Sequence, residues 1–352
     1  MEEKKKTARE IIEGYDGPPV RIMEVCGTHT HEIFRLGIRK LLPEQVELIS
    51  GPGCPVCVTQ VGFIDEAIYL ALERQVTICT FGDLVRVPGT NMSLAGARER
   101  GAKIRIVYSP VDAKEYAKEH PKEQVTFLSV GFETTTPSAC LSVKKAREEC
   151  LTNYSILTAN KTMPQAYEAL KESADIFLYP GHVNAITGTK LCEELAKEGV
   201  SGVVAGFTAK ELLTALAVAL ARFQEGRPFF VNCYPRVVTE NGSPQAQKLV
   251  EEMMEPCDSE WRGLGVIKGS GMRLQEEWSA FDARKKYKIP LIQGKANPAC
   301  RCGDVLQGKC KPSDCKVFGK VCTPQHPIGA CMVSGEGACS AYYMYGEAEK
   351  MK

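Results

Sequence analysis

Residues 20–50 read VRIMEVCGTHTHEIFRLGIRKLLPEQVELIS. VRIMEV at 20–25 and VELIS at 46–50 are short apolar, β-branched runs, and between them a stretch near 31–41 carries its apolar residues at helical spacing. A strand, a crossover helix and a second strand form the unit from which parallel sheets are built. The same rhythm continues with VTICTF at 76–81, IRIVY at 104–108, VTFLSV at 125–130, SILTA at 155–159, DIFLY at 175–179 and VSGVVA at 200–205. Helical stretches fall near 62–74, 92–101, 112–119, 137–150, 164–173, 184–198 and 209–225. The expected fold class is therefore α/β, with two doubly wound, Rossmann-like parallel-sheet domains facing a cleft.

The expected boundaries are 1–120 for the first α/β domain and 121–235 for the second, followed by a loop-rich C-terminal domain over 236–352. In that last part a polar helix from Ser243 to Glu255 precedes the Gly-rich stretch RGLGVIKGSGMRL, whose Gly269-Ser270-Gly271 reads as a flexible turn. Seven of the sixteen cysteines then lie between Cys300 and Cys339.

Composition narrows the class. A chain of 352 residues buries a core without covalent staples. No apolar run approaches the roughly 18 residues of a membrane span. The N-terminal MEEKKKTAREIIEGYDG reads as a charged helix rather than a signal peptide, so a cytoplasmic location is expected. In a reducing compartment, clustered cysteines point to metal or redox chemistry rather than structural disulfides. With 44 Lys and Arg against 43 Asp and Glu and no block of like charge, nothing marks a nucleic-acid face.

The unusual residues follow the strands. Cys26-Gly27-Thr28-His29-Thr30-His31 follows the first, Gly51-Pro52-Gly53-Cys54-Pro55-Val56-Cys57 the second, and Gly82-Asp83 the third. Gly131-Phe132-Glu133-Thr134, Asn160-Lys161-Thr162 and Pro180-Gly181-His182 follow later ones. Ligands in open α/β sheets bind outside the carboxyl ends of the strands, so these turns should converge on a cleft. Cys26, at a strand-to-helix turn, should have its thiol pKa lowered by exposed N–H groups and the helix dipole, and it suits either metal binding or attack. His29 and His31 serve equally well as ligands or as packing groups. Cys54 and Cys57 have the spacing of a local disulfide, a redox dithiol or a metal pair. Glu133, Thr134 and His182 suit proton handling or anion binding at helix starts. There is neither a dinucleotide fingerprint nor a phosphate loop.

At the C-terminus, zinc would ask for paired Cys-x-x-Cys knuckles, and the segment has none. Irregularly spaced cysteines from a Gly- and Pro-rich loop suit an iron–sulfur cubane better, because its irons take ligands from separate directions.

Together, CGTHTHE (26–32), GPGCPVCVT (51–59), GFETTTP (131–137), PGHV (180–183) and CTPQHPIGACMVSGEGACSAYY (322–343) closely resemble the motifs of the HypD family of hydrogenase formation proteins in nickel–iron hydrogenase assembly. The resemblance implies a redox-active assembly scaffold rather than a turnover enzyme. With a small HypC-type chaperone it would hold an iron that receives two cyanides, arriving through a HypE-type donor, and one carbon monoxide. It makes Cys26 the iron ligand with His29 beside it, Cys54 and Cys57 the redox pair, and places Glu133, Thr134 and His182 near the iron. It also implies a [4Fe–4S] cluster on Cys302, Cys315, Cys322 and Cys339, leaving Cys300, Cys310 and Cys331 unassigned. Two other readings of the residues are a stand-alone iron–sulfur and dithiol oxidoreductase and a zinc-stapled binding module.

Overall fold

The computed structural model describes residues 6–346. Its strands are β1 (Val20–Glu24), β2 (Val46–Ser50), β3 (Thr77–Thr80), β4 (Ile104–Ile106), β5 (Val125–Gly131), β6 (Tyr154–Asn160), β7 (Ile176–Pro180), β8 (Ser201–Ala205), β9 (Phe230–Asn232), β10 (Met254–Trp261) and β11 (Gly265–Leu274). β1 to β9 make two parallel sheets, ordered β2-β1-β7-β8-β9 and β4-β3-β5-β6, and β10 pairs antiparallel with β11. Every residue of β5, β6, β7 and β8 is buried, as befits parallel strands covered by helices on both faces. The expected α/β class with two parallel sheets is borne out.

The division of the sheets along the chain differs from the expected break near residue 120. β1 and β2 belong with β7, β8 and β9, while β3 to β6 form the other sheet. The chain thus leaves the first sheet after β2, builds the second, and returns through β7. Parallel strands pair across crossovers of any length, so alternation in sequence is the same whichever sheet a strand joins. The helix expected over 184–198 is two helices, Gly181–Thr187 and Lys190–Lys197, separated at Gly188, whose φ of 82° ends the first.

Beyond the polar helix Pro244–Met253, the Gly-rich stretch is a strand. Gly269, Ser270 and Gly271 lie within β11, and Ser270 is fully buried, accepting from the indole N–H of Trp261 at 2.7 Å. The expected flexible turn is therefore corrected to a packed element. The hairpin joins the two sheets: Thr162 N–H donates to the Ser270 carbonyl at 2.9 Å, and Arg262 N–H to that of Val58 at 2.8 Å. The C-terminal helix Ala338–Tyr345 packs on Gly27–Arg35, the helix that follows β1, with Phe34 and Tyr342 edge to face at 4.7 Å. No helix among the described residues is long and apolar enough to cross a membrane.

Candidate functional site

The site begins with a buried charge. Glu24, the last residue of β1, is fully buried and accepts from Arg39 at 2.6 Å, Thr30 at 2.7 Å and Ser50 at 3.1 Å. A buried carboxylate is tolerated only when paired and hydrogen-bonded, and here the pairing binds β1, β2 and the following helix together. On that frame the two Cys-bearing turns touch: Gly27 N–H donates to the Gly53 carbonyl at 3.0 Å, and a side chain at Gly53 would come within 2.1 Å of the Cys26 nitrogen.

Cys26 sits at the N-cap of the helix Gly27–Arg35 and is buried. Burial pushes its thiol pKa up to about 12, with the Glu336 carboxylate adding to the rise, while the N–H groups of His29 and Thr28 oppose it. The expected lowering is thus overturned, because desolvation of a thiolate outweighs the helix-terminus donors. Cys54 and Cys57 are paired as a disulfide and are both buried. Cys54 caps the short helix Pro55–Val58, its sulfur accepting from Cys57 N–H at 3.2 Å.

His29 is fully buried and donates from Nε2 to the Gly206 carbonyl at 3.0 Å. Burial lowers its pKa to about 4, so the ring is neutral, and its other nitrogen, Nδ1, is buried without a hydrogen-bond partner. That leaves an available lone pair on the helix that Cys26 caps. Phe207 lies between the rings of His29, tilted at 4.7 Å, and His182, stacked at 3.9 Å, and the exposed His182 therefore stands over the same turn. Burial and the neighbouring Glu336 act on His182 in opposite directions, the net effect lowering its pKa.

Glu336 and Phe207 were missed by sequence reasoning. Glu336 accepts from the Thr28 hydroxyl at 2.7 Å, and His31 Nδ1 bonds the Gly335 carbonyl at 3.1 Å, so the C-terminal Ser-Gly-Glu-Gly turn closes over the Cys26 turn. The signal was present in the tight Gly335-Glu336-Gly337 sequence, but nothing local tied it to a turn more than 300 residues away. Thr28, His31, Pro55, Val56, Phe81, Asp83, Tyr108 and Glu336 line a cleft of about 700 Å³ drawing on both sheets.

Glu133 follows β5. Its Oε1 accepts from Met163 N–H at 2.8 Å, its Oε2 is buried without a partner, and burial pushes its carboxyl up to about 7. Tyr167, buried and itself without a hydroxyl partner, lies in electrostatic reach of both Glu133 and Cys26. Thr134 is exposed beside Glu133.

Cys302, Cys315, Cys322 and Cys339 all line one small hollow, together with Cys300 and Cys331 and the apolar side chains of Val305, Val317, Phe318 and Met332. The sulfurs of Cys302 and Cys331 are 2.7 Å apart. Crowding and burial raise the thiols of Cys300, Cys302 and Cys339. Cys310 lies elsewhere, in a cavity with Ile49 and Tyr342. The short helix carrying Cys57 packs on the turn Ala330–Met332 carrying Cys331, and Cys54, Cys57, Trp261, Cys302 and Cys331 share one hydrophobic core. Among the described residues, no three His, Cys, Asp or Glu side chains are grouped to hold a single metal ion.

The family model described as "HypD: Hydrogenase formation hypA family" matches residues 2–346. The chain is 42% identical to the hydrogenase maturation factor HypD of Cupriavidus necator, covering 95% of this chain and 92% of that one. It is 44% identical to HypD of Rhodobacter capsulatus and 43% identical to HypD of Escherichia coli, covering 94% of this chain and 90% of the relative in both cases. Matched over nearly its whole length by the family model and by relatives more than 40% identical, the chain belongs to the HypD family of hydrogenase maturation factors.

Proposed function

We propose that this maturation factor is the scaffold on which an iron, its cargo, receives two cyanides and one carbon monoxide. The observation that carries the reading is a buried thiol, Cys26, capping the helix that also bears a neutral imidazole, His29, whose buried Nδ1 is unpartnered. Low-spin iron favours such soft and borderline ligands in a dry pocket. One thiol and one imidazole do not fill the shell of an iron. The remaining positions fit the added cyanides and carbonyl and a ligand from a small HypC-type chaperone, with a HypE-type protein delivering cyanide. The cleft beside Thr28 and Glu336 gives such partners access. His182 and Glu336, at the turn, and Glu133, deeper and reached through Tyr167, are proton handlers in this reading.

The sulfur-lined hollow has the donor set of a [4Fe–4S] cluster, since its donors are all thiols and its walls are apolar. Cys302, Cys315, Cys322 and Cys339 would hold it, with Cys300 and Cys331 completing the wall. Such a group supplies single electrons when bound. Cys54 and Cys57 store two electrons by opening their disulfide to two thiols, taking up two protons, and their position between Cys26 and Cys331 suits a redox step in the cleft.

Anaerobic purification with the small chaperone, followed by infrared spectroscopy and iron and sulfide analysis, tests the reading. Cyanide and carbonyl stretches are expected in the complex and are lost in Cys26→Ala, with about four irons and four sulfides per chain retained by the hollow. Stretches that persist in Cys26→Ala remove that residue from the role, and one zinc with no sulfide removes the cluster.

A further inference from the structure

We infer that a second cavity, separate from the Cys26 cleft, binds a small molecule carrying a phosphate or carboxylate group. The cavity holds about 630 Å³, a volume suited to a small ligand, and is lined by Arg86, Arg262, Lys295 and His326 together with the amides of Asn91 and Asn297. No aspartate or glutamate lines it, and none of its lining residues belongs to the Cys26 cleft.

Three segments far apart in sequence bring the positive charge together. Arg86 follows β3 and is held across to the C-terminal segment by bonds from its guanidinium to the carbonyls of Pro324, at 2.8 Å, and Val333, at 3.3 Å. These acceptors are neutral, so its charge stays uncompensated. Lys295 is fixed by its N–H donating to the Thr90 hydroxyl at 2.8 Å, and its exposed side chain is free of any bond to the wall. Asp65, which bonds the wall residue Thr90 through both its N–H and its hydroxyl at 2.8 and 2.6 Å, is occupied there. Arg262, in the hairpin turn, is the deepest cation: it is 9% exposed, its Nε donates to the Thr59 carbonyl at 2.8 Å, and its Nη2 is buried with no hydrogen-bond partner.

The buried Nη2 of Arg262 is closed off from the cavity, so an anion there meets Arg86 and Lys295 directly and Arg262 through its field alone. Arg262 also stands beside the thiols of Cys300, Cys302 and Cys331, but the cavity's charge comes from Arg86 and Lys295 as well. Phosphate and carboxylate are the shared chemistry of such forks and ammonium groups.

Isothermal titration of the anaerobically purified full chain with inorganic phosphate and, separately, with malonate in low-chloride buffer tests the site. Saturable binding of at least one probe is expected, weakened roughly tenfold or more in Arg86→Gln/Lys295→Gln. The arm that binds more tightly identifies the headgroup. Both substituted side chains are exposed, and Lys295→Gln alone, in an irregular segment, serves if the double variant is unstable. Absence of saturable binding for both probes, or unchanged affinity in the folded variants, overturns the inference. Iron and sulfide content are expected to be unaffected, so this result is read independently of the cluster.

Discussion

The N–H of Gly27 donates to the carbonyl of Gly53 at 3.0 Å, and this bond holds the Cys26 turn against the Cys54 turn. The approach is so close that only hydrogen fits at Gly53, where an added Cβ would lie 2.1 Å from the Cys26 nitrogen. Gly53→Ala is therefore expected to destabilise the chain by about 2 kcal/mol or more, since neither backbone segment has room to move without breaking the bond. Thermal unfolding of the two proteins checks this, and an unchanged midpoint would contradict the close contact.

The buried Glu24 gives a second expectation. Arg39→Met leaves its carboxylate facing only two hydroxyls, a loss expected to cost about 3 kcal/mol. Glu24→Gln combined with Arg39→Met should recover much of that, because no uncompensated charge is left behind. Urea unfolding of both variants distinguishes a buried ion pair from simple packing: equal losses in the single and double variants would argue for packing alone.

How much of this was legible in sequence depends on whether the signal was local. Most strands from Val20 to Ala205 were readable because both faces of a parallel sheet are covered and the strands are apolar runs, whereas the exposed edge strand β4 was readable from its β-branched residues alone. Their assignment to sheets was not, since β2 to β3 is a crossing between sheets that leaves no mark in the residues. The hairpin β10–β11 was missed because Gly263, Gly265, Gly269 and Gly271 signal turns, whereas the fold uses glycine there for positive φ and for close approach of Gly271 to Cys257 and Ser259. Cys26, His29, Cys54 and Cys57 were visible as residue types at strand ends. Their electrostatics were not, because burial is a property of the folded chain.

That burial predicts a ranking of thiol reactivity. Cys150 is exposed, whereas burial pushes the thiols of Cys26, Cys79 and Cys140 up to about 12. Thiolate is the reacting species, so at pH 8 alkylation of Cys26, Cys79 and Cys140 is expected to be at least roughly a hundredfold slower than at Cys150. Iodoacetamide labelling followed by peptide mass spectrometry, with a urea-unfolded control in which all four react, measures it. Labelling of Cys26 as fast as Cys150 would show that the turn is open in solution.

The last expectation concerns pH. Glu133 has its carboxyl raised from 4.5 to about 7 by burial. Between those values the folded chain holds a proton that the unfolded chain has released, so stability from this group is present below about pH 4.5 and is lost as pH rises through about 7. The loss is expected to reach about 3 kcal/mol. His29, lowered from 6.5 to about 4, works in the opposite sense, its contribution being lost as pH falls through that window. The two partly cancel in the native protein, so the test is a difference. Denaturant unfolding of the native chain and of Glu133→Gln at pH 5 and pH 7.5 should show the variant gaining relative stability at the higher pH, because it keeps a neutral group facing Met163 N–H while removing the ionisation. Parallel pH profiles would falsify the burial of an ionisable carboxyl at Glu133.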